Sequence, residues 1–275
     1  MKIKCELYND HMQNARSYGI PKADLIIGDI PYQVGDAAYG SSPLWYNGGD
    51  NSNGESELAH SSFFDTDDYF RIAEFMDFVR RMLKPDPKTG AVKRGRPAGA
   101  PCMILFCAFE QMQYLIDYAK RYGFNHYIPL TFIKNYSPQV LKANMRVVGA
   151  CEYALLFYRE KLLKFNNNGK MVYNWMEWER DGKDIEKIHP TQKPVKVLKR
   201  LIELFTDPGD VVIDPVAGSG STLRAAYELG RHSYGFEIKK DFYRLAKEKM
   251  LNFDDMQMQI RTRQTYDQGE QIEIA

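Results

Sequence analysis

The 275-residue chain is 44% hydrophobic and 27% charged, with 37 Lys and Arg against 36 Asp and Glu. That balance is ordinary for a globular protein and excludes disordered, fibrous and strongly basic classes; with almost no net charge, any nucleic-acid surface has to be a local patch. No apolar stretch is long enough to span a bilayer, and residues 1–10 lack the basic-then-apolar pattern of a leader, so a cytoplasmic protein without membrane contacts is expected.

Residues 3–8 alternate as a strand does, and residues 23–28, Ala-Asp-Leu-Ile-Ile-Gly, form the compact apolar run of a strand covered on both faces. This run leads directly into Asp29-Ile30-Pro31-Tyr32. Residues 33–66 then turn to Gly, Ser, Asn and Asp with Trp45 and several tyrosines, far longer than the usual connection of ~4–6 residues. Residues 68–83 have helical spacing, with Phe70, Ala73, Phe75, Met76, Val79 and Leu83 on one face, and stop before Pro85. The basic segment that follows contains Lys93, Arg94 and Arg96, and reads equally as a solvated loop or as a phosphate contact.

Strands are expected at 101–108, 127–134 and 151–158, with a helix at 110–122. Residues 159–188 become polar, with an Asn-Asn-Asn-Gly turn and an exposed Trp175/Trp178 pair that either anchors a small apolar cluster or contacts a base or phosphate. Beyond them, helices at 191–206, 221–229 and 241–251 alternate with strands at 211–214 and 232–237. Strand and helix in alternation imply an α/β fold around a mostly parallel, twisted sheet. Cys5, Cys102, Cys107 and Cys151 lack metal-type spacing; they read as reduced thiols, mostly in buried strands, and no metal site is expected.

Two stretches carry chemistry. In the first, a strand runs into Asp214-Pro215-Val216-Ala217-Gly218-Ser219-Gly220 and then a helix. Glycines there let a ligand approach the backbone, and the helix amides favour an anionic group. Alone, such a turn also serves merely to pack a helix on a strand. The next strand ends in Glu237, about 17 residues past Gly220, near the position of an acid that grips ribose hydroxyls. A nicotinamide enzyme would usually open with this unit, whereas here too little chain remains for a second mononucleotide half.

The second stretch is Asp29 to Tyr32, placed at the end of a buried strand, where open α/β sheets present active-site residues. An aromatic amine is a poor nucleophile because its lone pair is delocalised, so a catalyst must hold the nitrogen towards tetrahedral geometry. The Asp29 carboxylate and the Ile30 carbonyl, kept extended by Pro31, can accept its two N–H groups. Tyr32 offers a stacking face to a base taken out of its duplex.

These residues resemble the β class of DNA amino-methyltransferases. That class carries an Asp/Ser-Pro-Pro-Tyr signature near the N-terminus and an Asp-Pro-Phe-x-Gly-Ser-Gly motif near the C-terminus. The segment from His189 through Thr191 and Lys193 to Pro194 is similar to the family's helix-opening segment, and on its own reads as a helix capped by Thr191 with Pro194 in the first turn. The resemblance implies a Rossmann-like methyltransferase with circularly permuted motif order and a small target-recognition insertion. It implies S-adenosylmethionine as cofactor, with His189, Thr191, Lys193, Asp214, Pro215, Val216, Ala217, Gly218, Ser219, Gly220 and Glu237 around it. It also implies Asp29, Ile30, Pro31 and Tyr32 as the catalytic tetrapeptide. The stretch at 131–134 with 151–154 resembles another family segment, to which no role is given.

Two departures stand out: Ile30 replaces the first proline and Val216 the phenylalanine. The acid at position 29 points to adenine N6, with cytosine N4 the alternative and a catalytically silent DNA-binding relative the reading from another class. The expected organisation is a catalytic half at 1–158 including loop 33–66, a recognition segment at 159–188 and a cofactor half at 189–275. Duplex DNA is the expected partner, contacted by Lys93, Arg94, Arg96, Trp175 and Trp178, with a homodimer as a further possibility and a restriction-modification context.

Overall fold

The computed structural model describes residues 2–32, 70–93, 96–135, 139–142, 147–189 and 191–253. In chain order the strands are β1 (Cys5–Tyr8), β2 (Leu25–Asp29), β3 (Val92–Lys93), β4 (Arg96–Pro97), β5 (Cys102–Cys107), β6 (His126–Ile133), β7 (Gln139–Lys142), β8 (Val147–Gly149), β9 (Cys151–Tyr158), β10 (Trp175–Glu177), β11 (Val211–Asp214) and β12 (His232–Phe236). The helices are α1 (Ile72–Met82), α2 (Met112–Arg121), α3 (Val195–Phe205), α4 (Ser221–Glu228) and α5 (Lys240–Leu245), the last continuing as a π-helical turn over Ala246–Met250.

Eight strands form one sheet in the order β1-β12-β11-β2-β5-β9-β6-β10. Every neighbouring pair is parallel except the two made by β9, which runs against both β5 and β6. The burial of β5 explains why such strands read as uninterrupted apolar runs. Met103, Leu105 and Cys107 pack on one face with α1 and α2, while Cys102, Ile104 and Phe106 pack on the other with α3 and α4. Alternate side chains thus enter two cores, and neither face tolerates a polar residue. Cys102 and Cys107 are buried, Cys5 is partly so and Cys151 is exposed; all four are free thiols.

Chain direction across the sheet reverses between β11 and β2. From β11 the chain passes through α4 to β12 on one side, whereas β2 pairs with β5 on the other. A crevice opens at such a switch point beyond the carboxyl ends of the strands, and these ends are Asp29 and Asp214.

Several elements differ from expectation. The helix expected at 191–206 begins only at Val195, with Pro194 as N-cap rather than in the first turn, and Thr191 does not cap it. Its first amides are received from outside: the Asp181 carboxylate accepts from Val195 N at 2.9 Å and Lys196 N at 3.2 Å. Residues 159–188 are bound closely to the sheet and to α3. Within them β10 extends the sheet beside β6, and the Asn166 amide donates to the carbonyls of Glu203 and Thr206 at the end of α3. Trp178, expected exposed beside Trp175, is only 6% exposed. Apolar burial outweighs the polar surroundings of its sequence, and the ring makes edge contacts with Phe106 and Phe132. The basic segment forms the hairpin β3–β4, in which Lys93 pairs with Arg96 in register. Arg94, the whole of loop 33–66 and the residues beyond 253 lie outside the described residues.

Candidate active site

The crevice at the switch point is a cleft of about 260 Å³ lined by residues of both motifs, Asp29 to Tyr32 and Asp214 to Ser219, together with His189, Thr191, Lys193 and Glu237. One wall is the glycine turn after β11. Gly218 and Gly220 adopt left-handed φ of 50° and 77°, which disfavour a Cβ, and Gly220 opens α4 as its N-cap. Gly218 N donates to Glu237 Oε2 at 2.9 Å and Lys239 N to Oε1 at 2.6 Å, so the acid after β12 is locked across the turn. Burial pushes the Glu237 carboxyl upward against these amides.

Asp214 is 4% exposed and accepts from Val216 N at 3.1 Å. Burial raises its pKa to about 7, opposed by the Thr222 hydroxyl and the Val216 amide and reinforced by Asp29 and Glu237. His189 lies against Phe242 with ring centroids 4.3 Å apart and faces the space where a Gly218 side chain would stand. Burial, with Lys193, Lys187 and Lys239 nearby, lowers its pKa to about 4, so the imidazole is neutral at pH 7. Thr191 Oγ1 sits 3.2 Å from His189 Nδ1.

The other wall is the end of β2. Asp29 Oδ2 receives the Lys193 ammonium at 2.6 Å, while Oδ1 is buried without a hydrogen-bond partner among the described residues. Burial pushes the Asp29 carboxyl up and Lys193 pulls it back down. Lys193 also lies 5.3 Å from the Tyr32 ring centroid and 5.4 Å from that of Phe106. The Pro31 carbonyl accepts from Gln111 Nε2 at 2.9 Å, and Gln111 Oε1 in turn accepts from Ala108 N, which ties the tetrapeptide to the end of β5. The Tyr32 hydroxyl donates to Glu152 Oε2 at 3.0 Å.

The structure therefore brings Asp29, Ile30, Pro31 and Tyr32 together with His189, Thr191, Lys193 and the glycine turn. Lys193, which the resemblance puts beside the cofactor, contacts Asp29. Trp175, 44% exposed and stacked on Tyr173 at 5.7 Å, sits on the edge strand β10 rather than in the cleft. Sequence reasoning gave no role to Gln111, Lys134, Glu152 or Asp181. The first three are scattered along the chain, and no local spacing relates them to Tyr32.

The arrangement can bind an elongated ligand carrying hydroxyls and an ammonium group against Glu237 and Asp214, and can present an acceptor at Asp29 to a second, flat ligand. A family model described as DNA methylase matches residues 23–248. The protein YubD of Escherichia coli K12 is 32% identical over 148 residues, covering 54% of this chain and 61% of its own. A second protein of that strain, "DNA adenine methyltransferase YhdJ", is 26% identical over 265 residues, 90% of this chain and 83% of its own. In fold, the chain resembles a crystal structure of an M1.HpyAVI-SAM complex with a TM-score of 0.61 at 21% identity, covering 89% of this chain and 98% of that one.

Proposed function

From a chain that belongs to the DNA methylase family, we propose a site-specific enzyme that methylates adenine N6 in duplex DNA. Its methyl donor is S-adenosylmethionine. The observation that carries this reading is the convergence of Asp29 and Asp214, from the two ends of the chain, at the carboxyl ends of adjacent strands around one cleft.

The residues present fit the donor. The left-handed Gly218 and Gly220 leave the turn without side chains, the Glu237 carboxylate is fixed where ribose hydroxyls would reach it, and Asp214 is a buried acid able to face an ammonium group. When bound, S-adenosylmethionine supplies an electrophilic methyl group. The chain supplies alignment and electrostatics. Asp29 Oδ1 would accept one N–H of the target amine and the Ile30 carbonyl the other, which localises the nitrogen lone pair towards the donor's methyl group, and the Asp29 carboxylate would take the surplus N–H proton and pass it to solvent. Lys193 holds Oδ2 and so leaves Oδ1 for the amine. Tyr32 stacks on the flipped base, a contact worth about 1–3 kcal/mol.

The acid at position 29 supports adenine, as does the name of the relative aligned with nine-tenths of the chain. Recognition of the surrounding sequence is assigned to residues 159–188, where Met171, Tyr173 and Trp175 are exposed. The test is transfer of labelled methyl from S-adenosylmethionine to duplex DNA, followed by nucleoside analysis, with Asp29→Ala in parallel. Label in N6-methyladenine that vanishes in the variant is expected. Label in N4-methylcytosine overturns the base, and no label despite cofactor binding overturns the activity.

A further inference from the structure

A stacking ring contributes only as far as its plane is fixed. The backbone end of Tyr32 is held through the Pro31 carbonyl by Gln111. The far end is held by Glu152, whose Oε2 accepts from the phenol at 3.0 Å and whose Oε1 is paired with the Lys134 ammonium. Lys134 in turn sits 5.1 Å from the ring centroid of the core residue Trp178. An unbroken line of contacts therefore runs from the core to the Tyr32 hydroxyl.

The topology explains how two distant residues reach this point. Because β9 is antiparallel to its neighbours, it brings its beginning to the edge where the parallel strands end. Glu152 lies opposite Phe132 in register, and Lys134 directly follows β6. The Glu152 and Lys134 side chains are 19% and 9% exposed. An ion pair so buried adds little net stability over apolar packing. Neither residue lines the cofactor cleft; the Glu152 charge is also felt by Lys193 and Asp29, a route that a Tyr32→Phe/Glu152→Gln double variant separates from the contact with Tyr32.

We propose that Glu152 is a positioning residue for methyl transfer: it anchors the Tyr32 phenol so that the ring offers the target base a fixed plane, with Lys134 as its counter-ion. This rests on the function proposed above. The protonation states agree. Burial would raise Glu152, but Lys193 and Lys134 hold it below the usual carboxylate range, while burial and the neighbouring Glu152 and Asp29 charges keep Tyr32 protonated. The phenol is the donor and the carboxylate the acceptor.

The test compares wild type, Glu152→Gln, Tyr32→Phe and the double variant in single-turnover methyl transfer with both substrates saturating. Removing the hydroxyl in Tyr32→Phe, or the charge that strengthens the anchoring bond in Glu152→Gln, is expected to slow transfer by up to about tenfold. The double variant should be no slower than Tyr32→Phe, which already lacks the hydroxyl that residue 152 holds. Equilibrium binding of S-adenosylmethionine should stay within about twofold of wild type. Additive losses, a wild-type rate for Tyr32→Phe or weakened cofactor binding would overturn the proposal. Because Glu152→Gln strands the Lys134 charge, Lys134→Gln/Glu152→Gln is run beside it and should show the same rate in a protein with no unpaired ammonium.

The contact itself has a readout independent of activity. With 13Cζ-labelled tyrosine, the Tyr32 resonance, identified by its loss in Tyr32→Phe, should move in Glu152→Gln. An unmoved resonance removes the anchor. A moved resonance in a wild-type protein that methylates no DNA keeps the anchor and overturns its role in transfer together with the proposed function.

Discussion

The Lys193 ammonium lies 2.6 Å from Asp29 Oδ2, joining two residues 164 positions apart in the chain. Lys193 stands two residues before α3, in the segment that also places His189 and Thr191 in the cleft. The contact therefore ties the cofactor wall to the catalytic wall. It also sets the charge of Asp29, because burial drives that carboxyl towards its neutral form and Lys193 opposes it.

Replacing Lys193 by Met should raise the Asp29 pKa further. As acceptor of an N–H bond Asp29 is needed ionised, so activity falls as pH drops through its pKa, and a higher pKa starts that fall at a higher pH. The acidic limb of the kcat–pH profile should move upward in Lys193→Met, with a loss of about tenfold or more at neutral pH that narrows as pH rises. Superimposable limbs in variant and wild type would separate Lys193 from the ionisation of Asp29.

Asp214 gives a second pH dependence, with the sign worked from a pKa raised from 3.8 to about 7. The folded state binds this proton more tightly than the unfolded chain does, so the contribution to stability is full below the unfolded value and is lost as pH rises through about 7. An acid facing the ammonium of the cofactor acts only when ionised, so affinity for S-adenosylmethionine should rise over the same interval. Asp214→Asn should flatten both curves, lowering affinity at pH 8 while gaining thermal stability there relative to wild type. Calorimetric titration and melting between pH 5.5 and 8.5 (about one and a half units either side of the transition) check this; an unchanged affinity profile in the variant would remove Asp214 from cofactor binding.

How much of this was legible in the sequence depends on the range of the forces involved. The apolar run at 23–28 and the glycine turn at 218–220 are local signals, and both mark the elements found. Strand β10 was missed because its three residues, Trp175 to Glu177, hold no periodicity and pair only through tertiary contact with β6. The cap of α3 was misassigned for a similar reason. Good local capping grammar at Thr191 gave way to Asp181, which chain folding brings to the Val195 and Lys196 amides. Glu152 could not be connected with Tyr32, because a carboxylate near the start of a strand faces the active edge only if that strand runs antiparallel, and direction is a property of the whole sheet.

Gly99 tests how tightly residues 159–188 are bound to the sheet. A Cβ there would run into the Lys164 backbone, in a stretch where Ala100 N donates to the Leu162 carbonyl and Lys164 N to that of Ala100. Backbone cannot yield as a side-chain tip can, so Gly99→Ala should destabilise by about 1–3 kcal/mol. Hydrogen exchange should rise at Ala100 and Lys164 ahead of the central strands. A variant with wild-type stability and protection would show that the segment accommodates displacement freely.

Trp175 and Trp178 stand in the same short segment but in opposite environments, which separates packing from recognition. Trp178 fills a core position between Phe106 and Phe132, and its truncation leaves a cavity, so Trp178→Ala should cost about 3–5 kcal/mol. Trp175 is 44% exposed, and Trp175→Ala should change stability by no more than about 0.5 kcal/mol. If residues 159–188 recognise DNA, the second variant should still weaken duplex binding or alter the sequence methylated, because an exposed aromatic offers stacking and apolar contact without a folding role. Denaturant melts together with mapping of methylated sites decide the matter. Wild-type affinity and an unchanged site in Trp175→Ala would leave Trp175 without a part in recognition, whereas a loss of binding at full stability would place the DNA along the β10 edge of the sheet.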